Sequence, residues 1–365
     1  MILERLRLTN FRCHRAEELA FPPGVSVLVG ANGVGKTSVL EAVFFLFRGS
    51  SPRTAAPREL VRRGEQVLRV EADLRDTRGR RLTAAVGWST TGERRLTAGG
   101  APLADLARWE ECMPVRMFLP DDLRLVKGSP RRRRAFLDQL APRVDAGYRQ
   151  ALAAYEEALQ QRNTLLRQGV AGSDHTPWET LLARAGRHIV STRTRLLRSL
   201  TPAFAEAYRR LTPAESETVG LLYRTNVADL PEEEYRNRLA AERPADRRRT
   251  FTHLGPHRDD VRLTLGGRDL RDYGSQGEQR TALLALLVAE RGWARSEGGD
   301  LPLFLLDDVM SELDPARRRA LMSLVLGGGQ TIITTTDLHY FTSAELAMIE
   351  VIPLRRPDHG GGEES

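Results

Sequence analysis

Three glycines, a lysine and a hydroxyl define the chemistry open to this chain. Gly30-Ala31-Asn32-Gly33-Val34-Gly35-Lys36-Thr37 fits G-x-x-x-x-G-K-[ST], and Ser38 follows it. Gly30, Gly33 and Gly35, with Asn32 between them, let the backbone curl until consecutive N–H groups face one anion. The helix that must follow adds the positive end of its dipole, and Lys36 brings a compact charge to the outer phosphates of a nucleotide. Thr37 is placed to offer its hydroxyl to Mg²⁺. A loop of this kind requires a buried strand before it, and Val25-Ser26-Val27-Leu28-Val29 reads as one. It also requires a helix after it, and Ser38 to Phe47 has the matching amphipathic spacing.

A second set of residues lies almost three hundred positions later. Leu303 to Leu306 is an apolar strand that ends in Asp307 and Asp308. A phosphate-loop enzyme needs a carboxylate at such a strand end to hold magnesium, and a neighbouring one can orient or deprotonate the attacking water. Asp307 is therefore expected at the metal and Asp308 as the catalytic base, with Lys36 as the other catalytic group. Ser311-Glu312-Leu313-Asp314-Pro315 follows, Asp314 having the character of a helix N-cap. Upstream, Ser275-Gln276-Gly277 opens a long helix and makes a second anion cradle, this one without lysine. Two cradles and one metal site are explained by a nucleotide clamped between two copies of the chain.

Bulk composition points the same way. The 365 residues carry 55 Lys+Arg against 48 Asp+Glu, for a net charge of +7, which favours polyanionic partners. Lysine occurs only at Lys36 and Lys127, leaving 53 arginines. A lysine retained in the phosphate loop of such an arginine-biased chain fits the need for a point charge there. Two cysteines, Cys13 and Cys112, exclude a disulfide framework. No signal peptide opens the chain, and its longest apolar run, Ala282 to Ala289, is far below the roughly 20 residues of a membrane span. A soluble, cytoplasmic protein is expected.

The elements that must carry these groups can be read in order. Ile2 to Thr9 alternates as a strand, Asn10-Phe11-Arg12 turns, and a second strand runs to Phe21. Arg12 either approaches a bound nucleotide or is a surface arginine. Val67 to Leu74 and Arg81 to Trp88 form a hairpin, Arg94 to Ala98 another strand, and Met113 to Leu119 a buried one. Ser129-Pro130 starts a helix, with Ser129 as its cap, whose apolar stripe continues through Tyr148 to Leu159. Thr176-Pro177-Trp178-Glu179 reads as a capping box for a second helix that Pro202 ends or kinks. Val261 to Leu265 reads as a strand returning to the first domain. The later alternation of helices and strands implies a mostly parallel sheet. Residues 1–128 and 245–358 are thus expected to form an α/β head with a mixed sheet region, its segment 273–280 facing a dimer partner. Residues 129–244 would form a helical hairpin arm and 359–365 a disordered tail.

The order of phosphate loop, Ser-Gln-Gly, apolar-Asp-Asp and Ser-Glu-Leu-Asp resembles ATP-binding-cassette heads of the SMC type. Asn10-Phe11-Arg12, Leu119-Pro120-Asp121-Asp122-Leu123, Val126-Lys127-Gly128-Ser129-Pro130 and Gly255-Pro256-His257-Arg258-Asp259-Asp260 narrow the resemblance to the RecF family of bacterial recombination mediators. It covers almost the whole chain. The resemblance implies ATP and Mg²⁺ as cofactors and an ATP-dependent homodimer in which Ser275 of one copy meets the γ-phosphate held by Lys36 of the other. It implies weak, DNA-stimulated ATP hydrolysis used as a switch, and double-stranded or gapped DNA as partner. With RecR and RecO, such proteins serve RecA loading in recombination, repair, replication and the SOS response.

Three positions depart from the pattern. Thr336-Asp337 stands where a switch histidine is usual, Asp308 replaces the usual glutamate base, and no glutamine marks a Q-loop near Leu119-Pro120-Asp121. For DNA contact the candidates are Arg131, Arg132, Arg133 and Arg134, and Arg247, Arg248 and Arg249. The alternative for the first run is bracing of Asp121-Asp122, and His257 reads as a buried, satisfied histidine. Two other functions compete: a soluble ATPase energising a transporter, and a phosphotransferase sharing the phosphate loop.

Overall fold

A computed structural model describes residues 1–76, 78–103, 114–119, 123–169, 174–212, 217–228, 230–296 and 301–355. Strands β1 (Ile2–Phe11), β2 (His14–Ala20) and β3 (Val25–Val29) lead into helix α1 (Lys36–Arg48). Strands β4 (Val67–Arg75), β5 (Arg81–Ser89), β6 (Arg94–Ala98), β7 (Ala101–Pro102) and β8 (Val115–Phe118) follow. Next come α2 (Arg124–Lys127), α3 (Pro130–Val144), α4 (Tyr148–Gln168), α5 (Thr176–Leu211), β9 (Val219–Arg224) and α6 (Glu232–Arg249). Strands β10 (Asp260–Leu265) and β11 (Arg268–Asp269) precede α7 (Leu270–Tyr273) and α8 (Gln276–Ser296). The chain closes with β12 (Leu303–Leu306), α9 (Pro315–Leu326), β13 (Thr331–Thr335), α10 (Ser343–Leu346) and β14 (Glu350–Pro353).

The chain packs as two units, Met1–Asp122 with Gly298–Ser365, and Leu123–Glu297. In the first, an antiparallel sheet runs β2-β1-β4-β5-β6-β7 and a parallel sheet runs β14-β3-β13-β12-β8. The parallel strands are short apolar runs because helices and a second sheet cover them; every residue of β12 and β13 is buried. Helix α1 lies between the sheets, with Val39, Leu40, Val43, Phe45, Leu46 and Phe47 in one core with Leu3, Leu6, Val70 and Leu305. Gly49 ends it in a left-handed conformation (φ 63°), its amide returning to the Phe45 carbonyl at 2.8 Å. Sheet order is what builds the site. With β13 between β3 and β12, the carboxyl ends of β3 and β12 open onto one crevice, the usual ligand position of such sheets.

The second unit is mostly helical and differs from expectation in four places. The helix expected to run unbroken to Leu159 stops at Asp145, whose extended backbone ends α3 and whose Oδ1 accepts the Gly147 amide at 2.9 Å. Neither expected cap forms: Ser129 sits at the N-cap without a side-chain bond, and α5 starts from His175. Glu179 is instead turned inward, 1% exposed, onto Arg162 (3.2 Å) and Arg243 (2.6 Å), because two guanidiniums outweigh one backbone amide. Pro202 does not end α5, which continues to Leu211. Strand β10 does not return to the head; it pairs with β9 and β11 in a separate three-stranded sheet. Residues 245–297, assigned to the head from sequence, therefore pack in this unit, the Ser275 segment included. Residues 359–365 and Pro120-Asp121-Asp122 lie outside the described residues.

Candidate nucleotide site

The loop after β3 is shaped by two left-handed glycines, Gly33 (φ 79°) and Gly35 (φ 103°). Gly35 is required twice over, since a Cβ there would lie 2.4 Å from His14 Nε2 and 2.6 Å from Cys13 Sγ. Lys36 bridges the loop, its Nζ donating to the carbonyls of Gly30 (2.6 Å) and Ala31 (2.9 Å). Burial pulls the ammonium pKa below its ordinary value, opposed by Asp308 and Asp307. The amine is thus pre-positioned on uncharged carbonyl partners that an incoming phosphate can replace. Asn32, Gly33, Gly35, Lys36, Thr37 and Ser38 line a cavity of about 610 Å³ that also takes in Arg12, Asp307 and Asp308.

Across the cavity, Thr37 Oγ1 donates to both Asp307 oxygens at 2.9 Å. Asp307 is 6% exposed, and burial raises its pKa against the bonds from Thr334 and Thr37, with Asp308 adding to the rise. A paired carboxylate and hydroxyl are hard oxygen donors, the set that suits Mg²⁺, which keeps most of its waters. Asp308 adopts a left-handed conformation (φ 44°), and its Oδ1 is buried without a hydrogen-bond partner among the described residues. Such an orphaned acceptor beside a phosphate loop is the kind of group that a reacting water or metal-bound water satisfies.

Sequence reading missed the residue that aligns the two carboxylates. Thr334, at the end of β13, donates to Asp307 Oδ1 at 2.7 Å and accepts the Asp308 amide at 2.9 Å. Its signal was the run Thr334-Thr335-Thr336 closing a buried strand. Glu41 was missed too. Wholly buried on α1, it accepts from Arg12 Nε (2.9 Å) and Nη2 (2.7 Å), from Arg53 (3.2 Å) and from Ser51 Oγ (2.6 Å). Arg12 is thus no free surface arginine; Glu41 fixes it at the cavity wall, and Arg53 beside it. A lone acid in Val39-Leu40-Glu41-Ala42-Val43 marks such a site. Cys13 also lines the cavity: burial pushes its thiol pKa up, but the hydrogen bond and charge of His14 hold it below the ordinary value.

Other predicted residues lie elsewhere. Asp314 caps α9, accepting the Arg317 amide at 2.9 Å, and is not among the cavity residues. Ser275 and Glu278 form a reciprocal capping box at α8: the Ser275 amide donates to Glu278 (2.6 Å) and the Glu278 amide to Ser275 Oγ (3.3 Å). Gln276 and Gly277 are exposed at that helix start. At the switch position Asp337 is exposed and accepts the His339 amide at 2.9 Å.

The first arginine run needs correcting. Arg133 is 2% exposed and donates to Asp260 (2.6 and 3.0 Å) and to the carbonyls of Val126 and Gly128. Arg134 donates to the Asp259 carbonyl at 2.7 Å. Arg133 is thus consumed by the fold and closed to DNA phosphates, while Arg131 and Arg132 remain exposed. In the second run, Arg247 donates to the Gly169 carbonyl and Arg248 and Arg249 are exposed. His257 is satisfied on both nitrogens, by the Tyr155 hydroxyl (2.7 Å) and the Thr252 carbonyl (2.9 Å), and burial lowers its pKa to about 4.

Comparison with known proteins agrees with this geometry. A family model described as an AAA domain matches residues 5–91. The chain is 41% identical over 350 residues to the DNA replication and repair protein RecF of Symbiobacterium thermophilum, spanning 93% of this chain and 92% of that one. It is 38% identical to RecF of Heliobacterium modesticaldum over 95% of each. A structure of the recombination mediator protein RecF with ATP, from the RecFOR pathway, superposes with a TM-score of 0.81 at 30% identity over 92% of each chain. An Smc head bound to the C-winged-helix domain of ScpA superposes with a TM-score of 0.59 at 16% identity, which extends the likeness to the SMC-type head fold alone.

Proposed function

The chain belongs to the RecF family, with the SMC-like ATPase head fold joined to a helical unit, and from that premise we propose an ATP-gated DNA clamp of recombinational repair and replication. One observation carries the nucleotide reading: the bonded Thr37–Asp307 pair and the orphaned Asp308 oxygen face the same cavity as Lys36. Loop amides of Gly33 to Thr37 hold the phosphates and Lys36 exchanges its carbonyl partners for them. Thr37 and Asp307 would hold Mg²⁺, which would neutralise phosphate charge. Asp308 accepts a proton from the attacking water, through an oxygen already desolvated and unpartnered.

Ser275, Gln276, Gly277 and Asp314 meet this nucleotide from a second copy of the chain, so that ATP is the bridge of a homodimer. Their exposure at helix starts, where the positive end of the helix dipole lies, supports the role. The dimer encloses duplex DNA near gaps or junctions, and slow, DNA-stimulated hydrolysis opens it. RecR and RecO act with it to promote RecA loading. Arg131, Arg132, Arg248 and Arg249 remain candidate phosphate contacts.

The test is sedimentation with ATP, with ADP and without nucleotide. Dimers are expected with ATP alone, and Lys36→Met should abolish them. A wild-type monomer under all three conditions would overturn the clamp, whatever the ATPase rate.

A further inference from the structure

Helix α5 carries an exposed basic face that the nucleotide site does not use. Arg187, Ser191, Thr194, Arg195 and Arg198 follow the 3.6-residue period and are all exposed. They line one concavity of about 430 Å³, walled by the buried Val190, Val227 and Leu230. Among its described lining residues there are three guanidiniums and two hydroxyls but no carboxylate. Acidic neighbours engage one lining arginine and one flanking it: Asp145 takes Arg195 at 2.7 Å, and Glu232 takes Arg184 at 3.4 Å. Arg187 and Arg198 enter no ion pair among the described residues, and both keep their full fork of donors free.

We propose that this face of α5 is a contact for the phosphodiester backbone of duplex DNA, with Arg187 and Arg198 as its charge contacts and Ser191 and Thr194 as hydroxyl donors. The inference rests on the DNA-clamp reading and adds the surface that touches the duplex. From Arg187 to Arg198 the helix rises about 17 Å at 1.5 Å per residue, a length over which one DNA strand presents about five phosphates at 3.4 Å each. The two arginines therefore address separate phosphates rather than one. Guanidiniums are charged at any physiological pH, so the contact responds to salt and not to pH. A backbone contact of this kind carries no base information and fits a clamp that must hold any sequence.

The experiment is fluorescence anisotropy of the full-length protein with a labelled duplex and ATP across a salt series, comparing wild type with Arg187→Ala/Arg198→Ala. Alanine at exposed helical positions keeps the fold, and ATP-dependent dimerisation of the variant serves as the check. Losing two phosphate contacts per copy should flatten the slope of log K against log salt by about 1.8 for each copy that touches the duplex, so that the affinity lost at 0.1 M exceeds that lost at 1 M by roughly 60-fold per copy. The loss should be equal on unrelated sequences, and Arg187→Lys/Arg198→Lys should retain the slope. A wild type that never binds duplex would sink the clamp reading and this contact with it. Wild-type binding with an unchanged slope in the alanine variant would overturn the contact alone. Saturable binding of inorganic phosphate that the variant loses, with its DNA slope unchanged, would make the concavity a small-anion pocket and equally overturn the proposal.

Discussion

Thr334 links Asp307 to Asp308, the proposed metal-side and water-side carboxylates, so its hydroxyl should matter more to turnover than to nucleotide affinity. Removing it in Thr334→Val leaves the part-buried Asp308 amide without its acceptor and Asp307 with the Thr37 hydroxyl as its remaining side-chain donor, a cost of about 1–3 kcal/mol for an unsatisfied group removed from water. Steady-state kinetics should show kcat lowered roughly tenfold or more with KM for ATP changed little, and Thr334→Ser restoring both. A matched rise in KM instead would mean that Thr334 holds the loop rather than the carboxylates. Asp308→Asn is expected to lower hydrolysis by roughly 10²–10⁴, the usual range for a general base, while ATP-driven dimers persist. His257 offers a residue-scale test remote from catalysis. Its pKa is about 4 folded, against an ordinary value near 6.5, so the unfolded chain binds the proton first. Its contribution is intact above pH 6.5 and lost as pH falls from there toward 4, roughly 3 kcal/mol in all. Denaturant unfolding at stepped pH should show this acid loss in wild type, with a shallower slope in His257→Gln.

At the scale of elements, the loop after α1 is tied to the site through one carboxylate. Glu41 holds Arg12 and Arg53, Ser51 Oγ accepts the Arg53 and Thr54 amides, and Arg12 Nη1 reaches the Glu59 carbonyl at 2.8 Å. The Arg12 amide bonds the Leu60 carbonyl at 2.7 Å, and Phe11 bridges Val61. One buried negative charge against two guanidiniums leaves the cavity wall positive, which favours a triphosphate. Glu41→Gln should release both arginines and weaken ATP binding by roughly tenfold, with Gly35–Lys36 geometry and the parallel sheet untouched; fluorescent-nucleotide titration measures it. Equal ATP affinity with a lowered melting temperature would reduce Glu41 to a core anchor. This is also the scale at which the sequence stopped being readable. The phosphate loop, Asp307, Asp308 and the strands that carry them obey local rules of period, glycine conformation and capping, and they stand where those rules place them. Glu179 looked like a capping-box residue but answers to Arg162 and Arg243, which come from distant helices. Arg133 looked like part of a surface run, yet Asp260, 127 positions away, takes it inside. Long-range charge pairing has no local signature, so the arm was legible as helices but not as a network.

At the scale of the whole molecule, the division of cations by type makes a prediction that no single site does. With two lysines among 55 basic side chains, the proposed nucleotide site uses one lysine, while any DNA phosphate met by a Lys or Arg side chain is met almost wholly by arginine. An amine-directed acylating reagent therefore reaches Lys36, Lys127 and the N-terminus, and leaves the 53 arginines charged. Acylation of Lys36 removes the charge that bridges Gly30 and Ala31 and fills the space a phosphate needs. Burial lowers its pKa and so favours the free amine, while its 8% exposure limits the reagent's access. Treated protein should lose ATP binding and ATP-dependent dimerisation, bound ATP should protect both, and mass spectrometry should place the protected adduct on Lys36. Any association with duplex DNA that occurs without nucleotide should keep its salt slope to within about one contact, since the slope counts phosphates neutralised and the proposed partners are guanidiniums. A slope that collapses on acylation would instead put the DNA contact on Lys127 or the N-terminus, against the arginine face of α5. On the proposed reading the same reagent separates two polyanions: the nucleotide, met by the point charge of Lys36 in a ring of amides, and duplex DNA, met by planar forks along α5.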